Sequence, residues 1–200
     1  MNKILLAIPA LLTLASVHAA DPRIQNVRPI ITLNAAKDEN TLTPDAASDT
    51  MQVENLTFGP EDQRPFIIRA KGLKTTSTAG WKEYSLTFTP ANSGYVWLSL
   101  EGEYPPKEDP DLVLKVDFDD VSVEGAKIVN GDFEEKSADA GPKAWKYSAE
   151  AIPNDSFAGE SDSSYVTVTA NNRIGQTITV RAGEPVTVTF KARAHTPPIE

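Results

Sequence analysis

Alternation of apolar and polar residues is the dominant signal along the chain. The segments "YVTVTA" (165–170), "QTITV" (176–180) and "PVTVTFKARA" (185–194) place apolar residues at every second position, the period of a strand with one buried face. "SLTFT" (85–89), "YVWLSLEGE" (95–103) and "LVLKVDF" (112–118) do the same. Turn-forming stretches separate them: "PANSG" (90–94), "PPKEDPD" (105–111) and "RAGEP" (181–185). Short strands between such breaks, with no long helical period, predict an all-β chain folded as an antiparallel β-sandwich. The pattern weakens toward the N-terminus. "RIQNVRPIITL" and "TMQVENLTF" read as strands, and residues 34–49 between them as an irregular loop.

Parity along the strands assigns faces. Over 112–124 the inward positions run Leu114, Val116, Phe118 and then Val121, Val123, so one residue is extra. That predicts a β-bulge near Asp119–Asp120, which re-aims two carboxylates. In "YVWLSLEGE" Val96, Leu98 and Leu100 point inward, while Tyr95, Trp97, Ser99, Glu101 and Glu103 share the outer face. An outward Trp or Tyr can stack on the apolar C–H face of a pyranose, and nearby carboxylates can accept hydrogen bonds from its hydroxyls. Trp97, Tyr95, Glu101 and Glu103 are therefore candidate sugar-binding residues. Arg193 joins them from the outward row Thr187, Thr189, Lys191, Arg193 of a second strand. The competing reading is that the 34–49 loop covers these aromatics.

"MNKILLAIPALLTLASVHAA" has one charge at Lys3, an apolar run and the small-residue pattern Val17-His18-Ala19. It reads as a secretory signal peptide cut after Ala19, with a retained anchor helix as the alternative. A secreted or periplasmic location follows. The chain has no cysteine, which favours a bacterial envelope protein over a disulfide-stapled animal domain. Only His195 remains after cleavage, which argues against histidine-based triads and multi-histidine metal sites. Losing Lys3 leaves 18 basic against 28 acidic residues, a net of −10. Such a surface repels nucleic acid and anionic membrane, and suits neutral ligands or a cation held by carboxylates.

"IVNGDFEE" followed by "GPKAWKY" resembles the opening of carbohydrate-binding modules of the 4/9, 16 and 22 families, which are galactose-binding-like jelly rolls. "RIGQTITVRAGEPVTVTFKARA" resembles their next strands, and "GWKEYSLTFTPANSGYVWLSLEGE" with "LKVDFDDVSVEG" resembles their closing half. The order is reversed: the closing half lies in 20–125 and the opening half in 126–200. Tandem modules would each need both halves. The resemblance therefore implies one circularly permuted jelly roll spanning 20–200, joined through "VEGAK", with a truncated tandem as the alternative.

The same resemblance implies a structural Ca²⁺ on Glu134 and Asp119, with Asp132 and Asp120 as neighbours; hard cations take clustered oxygens of this kind. It also places Trp81 and Trp145 in the core, where Phe88, Phe118, Phe133 and Phe190 are expected too. Catalysis is not expected. Glu101 and Glu103, two apart on one strand, make a poor acid/base pair, and nucleophile chemistry has little to work with. The expected function is non-catalytic binding of a poly- or oligosaccharide. The alternative is an envelope module that binds protein.

Overall fold

The computed structural model describes residues 27–34, 40–42, 49–56, 67–70, 73–76, 80–138, 141–147, 157–160 and 163–195. The signal-peptide segment 1–19, most of the 34–49 loop and the end of the chain beyond His195 lie outside the described residues. The described residues form twelve strands and no helix. They are β1 (Ile30–Asn34), β2 (Asn40–Leu42), β3 (Thr50–Leu56), β4 (Ile67–Ala70), β5 (Lys82–Pro90), β6 (Gly94–Glu101), β7 (Val116–Glu124), β8 (Lys146–Tyr147), β9 (Phe157–Glu160), β10 (Ser163–Val168), β11 (Ile174–Val180) and β12 (Val186–Ala194). No helix among the described residues is long and apolar enough to cross a membrane.

Two six-stranded sheets pack face to face. The first runs β2-β4-β1-β6-β11-β8 and the second β3-β5-β12-β7-β10-β9. Both sheets contain strands from 30–124 and from 146–194, which meet at β6–β11 in the first sheet and at β5–β12, β12–β7 and β7–β10 in the second, so neither half of the sequence forms a sheet of its own. The sheets are mixed rather than wholly antiparallel, because β2 pairs β4 and β3 pairs β5 in parallel. From β2 to β6 each strand lies in the opposite sheet from the one before it. The alternate strands of this run, β2 with β4 and β3 with β5, are the ones that pair in parallel.

The turns at 90–94 and 181–185 are arches between the sheets, carrying β5 to β6 and β11 to β12. They brace one another. The Gly183 N–H donates to Pro90 O at 2.8 Å and the Ala182 N–H to Ser93 Oγ at 2.9 Å. Gly183 meets the left-handed requirement of its turn with φ of 74°. Inward rows from both sheets interdigitate as alternation predicts: Val96, Leu98 and Leu100 from β6, Val116, Phe118 and Val121 from β7, and Val186, Val188 and Phe190 from β12 are all buried.

The predicted bulge is present. Thr189 opposes Ser122 and Lys191 opposes Asp119, so β7 carries one residue more than β12 between those pairs. Asp120, at φ 48°, takes up the extra length.

The segment 125–134 leaves β7 and closes the side of the sandwich. Gln176 grips it in strand fashion, accepting from Val129 N–H at 2.8 Å and donating to Val129 O at 3.0 Å. Its "NGDF" turn is held by side-chain chemistry. Asn130 Oδ1 accepts the Glu135 N–H at 2.9 Å, and Nδ2 donates to Glu135 O and Lys143 O at 2.9 and 3.0 Å. Val121 N–H donates to Gly131 O at 2.8 Å, locking the turn to the bulged strand. Phe133 and Trp145 enter the core with ring centroids 5.1 Å apart, and Trp145 Nε1 donates to Asn130 O at 2.8 Å.

Candidate functional site

The outer face of the first sheet is open at one end and closed at the other. Tyr95 is 76% exposed and Trp97 half-buried. Opposite them on β11 stand Thr179 and Thr177, both exposed and, as register partners, on the same face. Toward the other end, Thr32, Ser99 and Glu101 belong to this face by register yet are buried.

Gly175 is what seats Trp97. A Cβ at Gly175 would fall 2.6 Å from both Cε2 and Nε1 of the indole, so the ring lies across β11 on a shelf of bare backbone. Beside this platform, Thr177 and Thr179 of β11 and Arg181 just after it face Gly125–Lys127 and Val129 across a cleft of about 740 Å³. A platform with adjoining hydroxyls and a cleft of this size suits a sugar ring or a short saccharide.

The five candidate sugar residues do not form one constellation. Tyr95 and Trp97 share the open platform. Glu101, on the same strand, is buried and pairs with Arg173 at 3.0 Å. Glu103 Oε2 accepts the Arg28 N–H at 3.3 Å. Arg193 lies on the outer face of the second sheet, separated from the platform by the core.

Around Arg193 the structure places a cluster that alternation alone did not single out. Trp81, Arg193, Asp117 and Thr167 follow one another in a cross-strand row. The Arg193 guanidinium lies 4.4 Å from the Trp81 ring centroid and 4.9 Å from that of Tyr165. Its Nε–H donates to Asp117 Oδ2 at 3.1 Å. Asp117 Oδ1 accepts the Thr167 hydroxyl and lies against His195 Nδ1, both at 2.8 Å. A carboxylate only accepts, so the His195 proton sits on Nδ1. Burial opposes the Arg193 charge, but the hydrogen bond and charge of Asp117 outweigh it and hold the guanidinium above its ordinary value. Trp81 is thus half-buried on an outer face, not in the core. Its parity with Glu83, Ser85 and Thr87 is the signal that marks it so. The cation lies over the Trp81 and Tyr165 rings and joins them to Asp117, linking β12 to β7 and β10 across the outer face.

Of the four candidate metal ligands, two share a cleft and two are turned to other hydrogen bonds. Asp120 and Asp132 line one cleft of about 490 Å³ with Asn130 and Glu135, beside the hydrogen bond that ties bulge to turn. Lys191 Nζ bridges to Asp120 Oδ2 at 2.6 Å, and the carboxylate raises the Lys191 pKa. Asp119 Oδ1 accepts the Asp120 N–H at 2.7 Å. Glu134 Oε1 points away to β10, accepting the Ser164 N–H at 2.7 Å. Among the described residues no three acidic or histidine side chains converge as a metal-binding group.

Family models, curated proteins and solved structures were compared with the chain, and none matches.

Proposed function

We propose that this is an exported, non-catalytic carbohydrate-binding protein that holds a poly- or oligosaccharide on the outer face of its first sheet. The observation that carries the reading is the Tyr95–Trp97 platform. Two aromatics lie two residues apart on one strand, with the larger ring laid on Gly175 and exposed threonines alongside. An apolar ring flanked by hydroxyls is what a pyranose needs: a surface for its C–H face and partners for its rim. In this reading Tyr95 and Trp97 stack, while Glu101 and Glu103 maintain the strand that presents them. Binding isotherms with soluble polysaccharides test it, with Trp97→Ala expected to lose at least about tenfold in affinity, a shift of about 1.4 kcal/mol. Equal binding by the variant would contradict it.

The architecture we propose is a circularly permuted jelly roll in which the Gly125 turn joins what are elsewhere the last and first strands. Support comes from the presence of strands of both sequence halves in each sheet, with β12 seated between β5 and β7, and from the Val121–Gly131 hydrogen bond at the joint. A structural Ca²⁺ at that joint is part of the proposal. Asp120 and Asp132 already face one cleft; Asp119 and Glu134 would have to exchange their present hydrogen bonds to join them. Under this proposal, chelator lowers the melting temperature and added Ca²⁺ restores it. An unchanged melt removes the metal from the account.

A further inference from the structure

We infer that the saccharide bound at this face is anionic, its rings bearing carboxylate or sulfate. The inference rests on the carbohydrate reading above and adds the charge of the ligand. The chain as a whole has a net charge of −9, yet the open end of the first sheet is locally basic. Lys146 stands opposite Gly175 in the β8–β11 register, so it rises on the face where the Trp97 indole lies. Arg181 continues the outward parity of Thr177 and Thr179, and Lys127 lines the adjoining wall of the cleft. All three cations are exposed.

The nearby acids are withdrawn from this face. Glu101 is buried against Arg173, and Glu103 takes a backbone N–H. Glu124 stands on the outer face of the second sheet, opposite Thr187. Glu184 alone lines the cleft, 3.7 Å from Arg181. Among the described residues, three cations therefore meet one carboxylate around the platform of an acidic protein. Lysine and arginine only donate hydrogen bonds, and pair most strongly with charged oxygens; arginine also matches carboxylate and sulfate in a two-pronged geometry. A site for neutral sugars is served by acceptors beside the rings, and Glu101, the one carboxylate of β6, is buried against Arg173. The local field also counters the repulsion that the rest of the surface exerts on a polyanion.

Titration calorimetry of the protein with polygalacturonate fragments, the same fragments methyl-esterified, dextran sulfate and dextran tests the inference. The two acidic probes separate carboxylate from sulfate. The expected result is that at least one acidic probe binds about tenfold or more tighter than its neutral counterpart at low salt, with the difference shrinking toward about 0.15 M salt. The triple variant Lys127→Gln/Lys146→Gln/Arg181→Gln loses that preference, and Trp97→Ala loses the binding itself. Equal affinity for acidic and neutral probes overturns the inference and leaves the carbohydrate reading standing. Acidic-probe binding that survives Trp97→Ala also overturns it, since attraction away from the platform then accounts for it. If none of the four probes binds the folded protein, the inference falls, and the carbohydrate reading falls with it only when a wider panel of saccharides also fails to bind.

Discussion

Replacing Gly131 with alanine puts a carbon where the backbone of β7 already is. A Cβ at this position lies 1.8 Å from Val121 O and 2.9 Å from Val121 C, against an ordinary non-bonded separation of about 3.5 Å. The obstacle is backbone, so no rotamer change relieves it; the turn itself must retreat by well over an ångström. Retreat breaks the 2.8 Å hydrogen bond from Val121 N–H to Gly131 O, worth about 1 kcal/mol net. It also lifts Phe133, which is fully buried two residues on, and overpacking of this kind costs about 1–3 kcal/mol. The expected loss is about 3 kcal/mol. In urea unfolding the midpoint should fall by about 1 M or more, with the slope unchanged. Gly94→Ala is the control. It has no atom within 4 Å of its Cβ and no left-handed φ, so its stability should stay within about 0.5 kcal/mol. Wild-type stability in Gly131→Ala would refute the claim that the turn is locked against the bulged strand.

Three further predictions follow from named contacts. Burial pushes the Tyr84 hydroxyl up to about 12, with the neighbouring Thr76 hydroxyl pulling it partly back and the Asp49 charge adding to the rise. The folded chain then keeps a proton that the unfolded chain gives up near pH 10. Stability is full below pH 10 and declines by about 2 kcal/mol as pH rises toward 12; thermal melts across that window should show the fall, and Tyr84→Phe should flatten it. Arg173→Met removes the cation 3.0 Å from buried Glu101 and should cost about 3 kcal/mol in chemical unfolding, with a cost near zero contradicting a structural ion pair. Gly175→Ala collides with the Trp97 indole and with Leu98 O, each 2.6 Å from the new carbon; folded variant protein should show a shifted tryptophan emission and weakened saccharide binding, and unchanged affinity would remove the shelf from the account.

Much of the fold is legible in the sequence because alternation is a local signal. The inward rows of β6, β7 and β12, and the bulge at Asp119–Asp120, follow from parity and are found in place. The parallel pairs β2–β4 and β3–β5 are not legible, since parallel pairing depends on where the chain returns after visiting the opposite sheet. β2, inside the stretch read as irregular loop, has three residues and no alternation to count. At the candidate site, the shared outer face of Tyr95, Trp97 and Glu101 follows parity, whereas Glu103 lies past the end of β6, and exposure is not a property of parity. Arg173, 72 positions from Glu101, withdraws that carboxylate, and no pattern along β6 announces it. Asp117, Thr167 and His195 meet across separations of 50 and 78 residues. The local trace of that cluster is one polar residue, Asp117, between two core residues of β7. Trp81 shows the opposite failure: its parity places it outward, while the family resemblance places it in the core.

The central claim is that the Tyr95–Trp97 face binds saccharide. It is tested most directly by screening wild-type protein and Trp97→Ala against a panel of soluble polysaccharides and immobilised glycans with calcium present. The account predicts wild-type binding to at least one saccharide, lost in a variant whose melting curve shows it folded. No binding by folded wild-type protein, or equal binding by the variant, would contradict it.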